Sequence, residues 1–169
     1  SIRHLTASVV DETYDLDSTL MRIVALVDAN PALDIGRIAD FMQSSWDLAD
    51  LRTEAGPFEF ERVIRFGQTV VTVEPVALTV GAEFPNQIRP LGRERVPHGT
   101  VSGVLVTAAS PLGGAVASIA LSQLSLALVK TCPQVKRVYW MSSEAIVPRS
   151  TIERRTRNLH EDWPVDIWV

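Results

Sequence analysis

His4, His98 and His160 are the three histidines of the chain, and histidine is the side chain whose ordinary pKa suits proton transfer near neutrality. His98 and His160 stand in polar stretches, and Glu144, Asp162 and Arg149 lie in comparable ones. General acid–base work needs a histidine or carboxylate within hydrogen-bond reach of its target, with a partner that tunes it. His98 and His160 with Glu144 or Asp162, supported by Arg149, make the best catalytic set that loops meeting at a sheet edge could assemble. Nothing in their spacing requires them to meet. No two histidines have the separation of HExxH or of a zinc finger, so no metal site and no cofactor are expected. Ser110 is followed by Pro111 and lacks the glycines of a nucleophile elbow; helix capping is its expected role. Cys132 is the lone cysteine, cannot pair internally, and is read as structural.

Binding chemistry has two further sources. GAEFPNQIRPLGRERVPH (81–98) is the longest stretch without periodicity, and it holds three prolines with Arg89, Arg93 and Arg95. A long loop in a small domain is often functional, and three guanidinium groups suit a phosphate, an acidic peptide or a partner protein. Trp168 in the terminal WPVDIWV would sit on a closing strand, where an exposed tryptophan could anchor a partner or a second copy of the chain. Asp28 and Asn30 follow a strand, where ligand-facing residues often stand, although helix capping explains them more simply.

These residues must be carried by alternating strands and helices. The stretch 100–132 has no charge before Lys130 and divides at Ser110-Pro111 into a strand and a helix running to about Lys130. Val116, Ile119, Ala120, Leu124, Ala127 and Leu128 would form its buried stripe, with Ser118, Ser122, Gln123 and Ser125 opposite. It is apolar enough to raise a membrane span, but Pro111, Gly113 and Gly114 interrupt the run and a core helix is expected. LMRIVALV (20–27) predicts a strand, with Asn30 as cap and Pro31 opening a helix to about Trp46. Residues 47–57 read as a linker, 58–66 and 69–73 as a hairpin, and 135–141 as a strand. The hairpin's second strand extends toward Val80, with Pro75 marking an edge or bulge. Ser150 to Glu153 has the capping-box form of a short helix. The expected fold is α+β: a mostly antiparallel sheet with two main helices on one face, built from ferredoxin-like βαβ units. Residues 1–19 would be an arm or extra strand, and 20–169 a single domain.

Sixteen Lys and Arg against twenty Asp and Glu give a net charge of −4, unsuited to general nucleic-acid binding. The N-terminal SIRHLTASVVDETYDLD turns acidic where a signal peptide would be apolar, so a cytoplasmic protein with no membrane attachment is expected. The LVDANPALD entry to the first helix, VSGVLVTAAS, VKRVYWMSSEAIVP and the closing WPVDIWV resemble, in that order over about 20–169, a bacterial family known as domain of unknown function 4261. That resemblance implies a single α+β domain and carries over no catalytic residue. The expected function is a non-catalytic protein-binding domain, of the adaptor or toxin-immunity kind, with a protein partner or a second copy. The alternative is a small hydrolase or small-ligand-binding protein using 81–98.

Overall fold

Two runs of β-branched residues make the centre of a sheet, Leu20–Val27 (β2) and Gly99–Ala109 (β7), paired antiparallel along their length from Leu20↔Ala109 to Val27↔Ser102. The structure, a computed structural model, describes residues 1–6, 20–28, 32–80, 89–90, 99–140 and 145–155, with backbone alone at 89, 90 and 155. Around the central pair stand Arg3–Thr6 (β1), Arg52–Ala55 (β3), Arg62–Phe66 (β4), Thr69–Val80 (β5), Arg89–Pro90 (β6), Val135–Trp140 (β8) and Ala145–Pro148 (β9). The helices are Ile35–Trp46 (α1), Gly114–Thr131 (α2) and Arg149–Arg155 (α3).

The sheet order is β3-β4-β5-β7-β2-β8-β9-β6, with β1 added parallel to the second half of β5. All other pairings are antiparallel except β6 with β9. The fold is therefore α+β with a mostly antiparallel sheet, as its patterning implies. β7 and β8 flank β2 and both oppose it, so α2 joins two parallel strands across a third. α1, by contrast, leads from β2 to the edge strand β3, four places away in the order. A ferredoxin-like repeat of βαβ units is not confirmed by this arrangement.

One face of the sheet carries Ile23, Ala25, Val71, Val73, Val104, Val106, Val138 and Trp140, and all three described helices contribute to this cluster and to no other. The opposite face has its own buried set, Val24, Leu26, Val76, Leu78, Leu105, Tyr139 and Ile146. Both faces of the central strands are thus covered, which is why they read as near-continuous apolar runs rather than alternating ones.

α2 is the one described helix long and apolar enough to cross a membrane, yet most of its surface is buried within the fold. Its serine stripe is not a wet face: Ser122 and Ser125 are fully buried and Gln123 nearly so. The hydroxyls of Ser122 and Ser125 donate to the carbonyls of Ser118 (2.9 Å) and Leu121 (2.8 Å), one turn back. A hydroxyl satisfied within its own helix can enter the core without an orphaned donor. Leu121, Leu124 and Leu128 contribute roughly 2 kcal/mol each by leaving water.

Helix starts differ from the expected positions. α1 begins at Ile35 with Asp34 as cap, its carboxylate accepting from Arg37 N at 3.1 Å, and not at Asn30-Pro31, which lie outside the described residues. α2 begins at Gly114 rather than Pro111. The Ser110 hydroxyl instead accepts from Leu112 N at 3.1 Å, closing a turn that Gly113 completes at φ +115°, a conformation open to glycine. α3 begins at Arg149, so Ser150 is already helical and does not cap it.

Candidate functional site

Among the described residues, no group of three or more His, Cys, Asp or Glu could hold a metal ion. His98, His160, Glu144, Asp162, Arg93, Arg95 and Trp168 lie outside the described residues. Arg89 falls on β6, which the pairing Arg89↔Ala145 places beyond β9, at the opposite edge of the sheet from β3. Of the proposed acid–base set only the supporting Arg149 lies among the described residues, and three arrangements carry the polar chemistry of the described chain.

The first is a buried charge cluster where two short strands share one long neighbour. β5 pairs with β4 as far as Arg62↔Val73 and with β1 from Arg3↔Val76, leaving Glu74 and Pro75, among the described residues, without a partner strand on that side. Pro75 brings no backbone donor, so it fits a gap where a ladder bond is missing anyway. Arg3 closes the gap with a two-pronged contact, Nε to Glu74 Oε2 at 2.7 Å and Nη2 to Oε1 at 2.6 Å. Its guanidinium carbon also lies 3.6 Å from the centre of the Phe58 ring. Glu74 is 3% exposed and Glu61, beside it, 8%. The hydrogen bonds that Arg3 donates to Glu74 raise the Arg3 pKa, whereas burial, followed by the charge of Glu74, pushes the Glu61 carboxyl above its ordinary value against the pull of Arg3. A carboxyl with a raised pKa suggests a general acid. Its position argues otherwise: a Cβ placed on Gly56 would come within 2.7 Å of Glu61 Cγ and 2.8 Å of Cδ, so backbone seals this side chain. The cluster fastens β1 to the sheet.

The second arrangement concerns Arg149, which the sequence suggests as a support for catalysis. Its guanidinium instead gathers carbonyls where α2 passes into β8, donating to Val129 O of the last turn, to Cys132 O of the C-cap at 3.4 Å and to Val135 O of β8 at 3.1 Å, with Glu153 at 3.3 Å. A cation there offsets the negative end of the helix dipole and satisfies carbonyls that have no partner within the helix. Arg149→Ala is expected to lower stability by about 1.5 kcal/mol, read as a lower urea midpoint. Arg149→Lys should recover only part, because one ammonium cannot span three carbonyls; full recovery would mean that charge alone matters. Cys132 is buried beside this junction, its thiol donating to Gln134 Oε1 at 3.2 Å, in keeping with a structural cysteine.

The third is exposed. At one end of the sheet a depression of about 240 Å³ is lined by Leu26, Val27 and Asp28 of the β2 end, Thr100, Val101 and Ser102 of β7, and Lys136 and Arg137 of β8. The β2–β8 register slips there, from Leu26↔Arg137 to Val27↔Val135, so Lys136 is the extra residue of a bulge. A bulge re-aims side chains, which accounts for two successive cations on one rim. Lys136 Nζ donates to Pro133 O at 3.1 Å. At the edge of the sheet, all four residues of β3 are exposed. The turn that follows it carries two of the three exposed large apolar side chains among the described residues, Phe58 at 43% and Phe60 at 40%.

Sequence patterning misses this edge because Arg52, Thr53, Glu54 and Ala55 bury no face, and it assigns Phe58 and Phe60 to a strand that begins only at Arg62. The signal that was available is Glu74, a single charge inside VTVEPVAL, which demands a buried partner. No family model matches the chain, and no curated protein and no solved structure matches it.

Proposed function

We propose that the chain is a non-catalytic protein-binding domain, an adaptor or immunity-type protein, that uses the β3 edge and the turn after it as its binding surface. The observation that carries this is the pairing of a fully exposed edge strand with two exposed phenylalanines on the adjoining turn. An edge offers unpaired backbone groups to an incoming strand, and aromatic side chains supply the desolvated contact area that such pairing lacks. A bacterial cytoplasmic setting, and kinship with the family named above, belong to the same proposal.

The test is affinity capture from a lysate of the source cells, with the tagged chain compared to its Phe58→Ser/Phe60→Ser variant. A stoichiometric partner held by the first and lost by the second is the expected result. Equal capture by both would remove the surface from consideration. The second reading, a small-ligand-binding protein or hydrolase working through 81–98, draws on the sheet-end depression, whose rim includes Thr100 beside Gly99, where that segment rejoins the sheet. Stabilisation by one metabolite that Lys136→Ala abolishes would favour it.

A further inference from the structure

We propose that β3 is a self-complementary edge that pairs antiparallel with β3 of a second copy about a two-fold axis through Thr53. The inference rests on the reading of this edge as a binding surface and names its occupant.

The charges select the register. With the axis at Thr53, Arg52 faces Glu54 of the second copy and Glu54 faces its Arg52, so one opposite-charge contact is made twice. An axis at Glu54 or at Arg52 sets like charges against each other. An axis between Thr53 and Glu54 leaves Arg52 opposite Ala55 and Thr53 opposite Glu54, with no charge pair. In-register parallel pairing opposes every charge to its own kind. One arrangement of the four residues is therefore favoured and its neighbours are penalised, as a specific edge requires.

The charge state of the isolated edge points the same way. Arg52 stands directly across from Arg65 of β4, a like charge, while Arg65 is bonded to Glu54. The guanidinium of Arg52 donates to the backbone carbonyl of Asp50 at 3.3 Å. A second copy brings Glu54 to Arg52 and extends the row as Arg65, Arg52, Glu54. The antiparallel sense also lays Phe58 and Phe60, which follow β3, toward the residues that precede β3 in the other copy, where Leu51 is half-buried. Four-residue strands and a turn fall well below the roughly 1,200–2,000 Å² of a tight complex. The dimer is consequently weak, reversible and salt-sensitive.

Sedimentation velocity of the full chain over a concentration series at low salt tests this by charge exchange. The unaltered chain should dimerise reversibly, and Arg52→Glu should weaken that association roughly tenfold or more, since both contacts become repulsive. Glu54→Arg should do the same. An equimolar mixture should regain it, because each altered strand then meets its complement. Glu54→Arg also loses the bond to Arg65, so where its urea midpoint shows a damaged fold, Arg52→Glu alone decides. A chain monomeric at every concentration, an Arg52→Glu variant that associates normally, or a mixture of folded variants that stays monomeric each overturns the proposal. A monomeric chain whose captured partner still depends on Phe58 and Phe60 would leave the binding surface standing with a different occupant. Loss of both would remove the surface as well.

Discussion

Arg3→Met is expected to lower stability by about 3 kcal/mol, because it strands a buried carboxylate rather than merely deleting a surface contact. Glu74 is 3% exposed and both of its oxygens accept from Arg3. Glu61 lies close enough for the charge of Glu74 to raise its cost of ionisation, and Arg3 is a cation set against both. About a third of the Arg3 side chain is exposed, which keeps the loss toward the lower end for a buried pair. Methionine retains most of the chain length over Phe58, so the change reports charge more than packing.

The pH dependence has a definite sign. Glu61 has its folded-state pKa raised, first by burial and then by Glu74. Between its unfolded and folded values the native chain binds the proton more tightly than the unfolded chain does, so stability falls as pH rises through that window. In Arg3→Met both carboxylates lack a counter-charge, and the loss should shrink as the pH is lowered into the carboxylate range. Glu61→Gln should flatten the wild-type slope there. Urea midpoints measured against pH settle both points. A deficit in Arg3→Met that is the same at acid and neutral pH would mean that apolar packing, and not the charge cluster, holds β1.

The elements that patterning finds are those buried on both faces or striped at helical spacing. β2, β5, β7 and β8 sit within a residue or two of their expected limits, and the ends of α1 and α2 are set by Asp47 and Cys132 as the loss of apolar period implies. What escapes is held by neighbours rather than by its own residues. β3 has no buried face and exists because β4 offers it a ladder; β9 is four residues long and closes on β8 through Trp140↔Ala145 to Arg137↔Pro148. The serines of α2 read as polar because a sequence lists hydroxyls without saying that the preceding turn can absorb them. Arg149 reads as a catalytic support for a related reason, since the carbonyls it satisfies at 129, 132 and 135 are distant from it in the chain and carry no side-chain signature. The charge cluster is half legible: Glu74 advertises a buried partner, but that partner is Arg3, 71 residues away.

Gly103→Ala is expected to lower stability by about 2–3 kcal/mol, a large effect for one methyl group. Gly103 lies in the middle of β7 between Leu26 of β2 and Val76 of β5, on the face that carries the second apolar cluster. A Cβ there would stand 2.8 Å from Val24 Cγ1 and 3.3 Å from the backbone carbonyl oxygen of Ala25. Val24 is fully buried and cannot swing away, and the carbonyl belongs to the sheet itself, so the strain passes into β2. The backbone conformation at Gly103 is not the cause; space is. Val24→Ala removes the methyl group in the way, at about 2 kcal/mol for the cavity it leaves. The two changes together should therefore cost less than their sum, with a coupling of about 1 kcal/mol or more in a double-mutant cycle of urea melts. Simple additivity would place the strain of Gly103→Ala against Ala25 rather than Val24. In that case the close approach of β7 to β2, not the filling of the second core by a valine, is what requires glycine at this position.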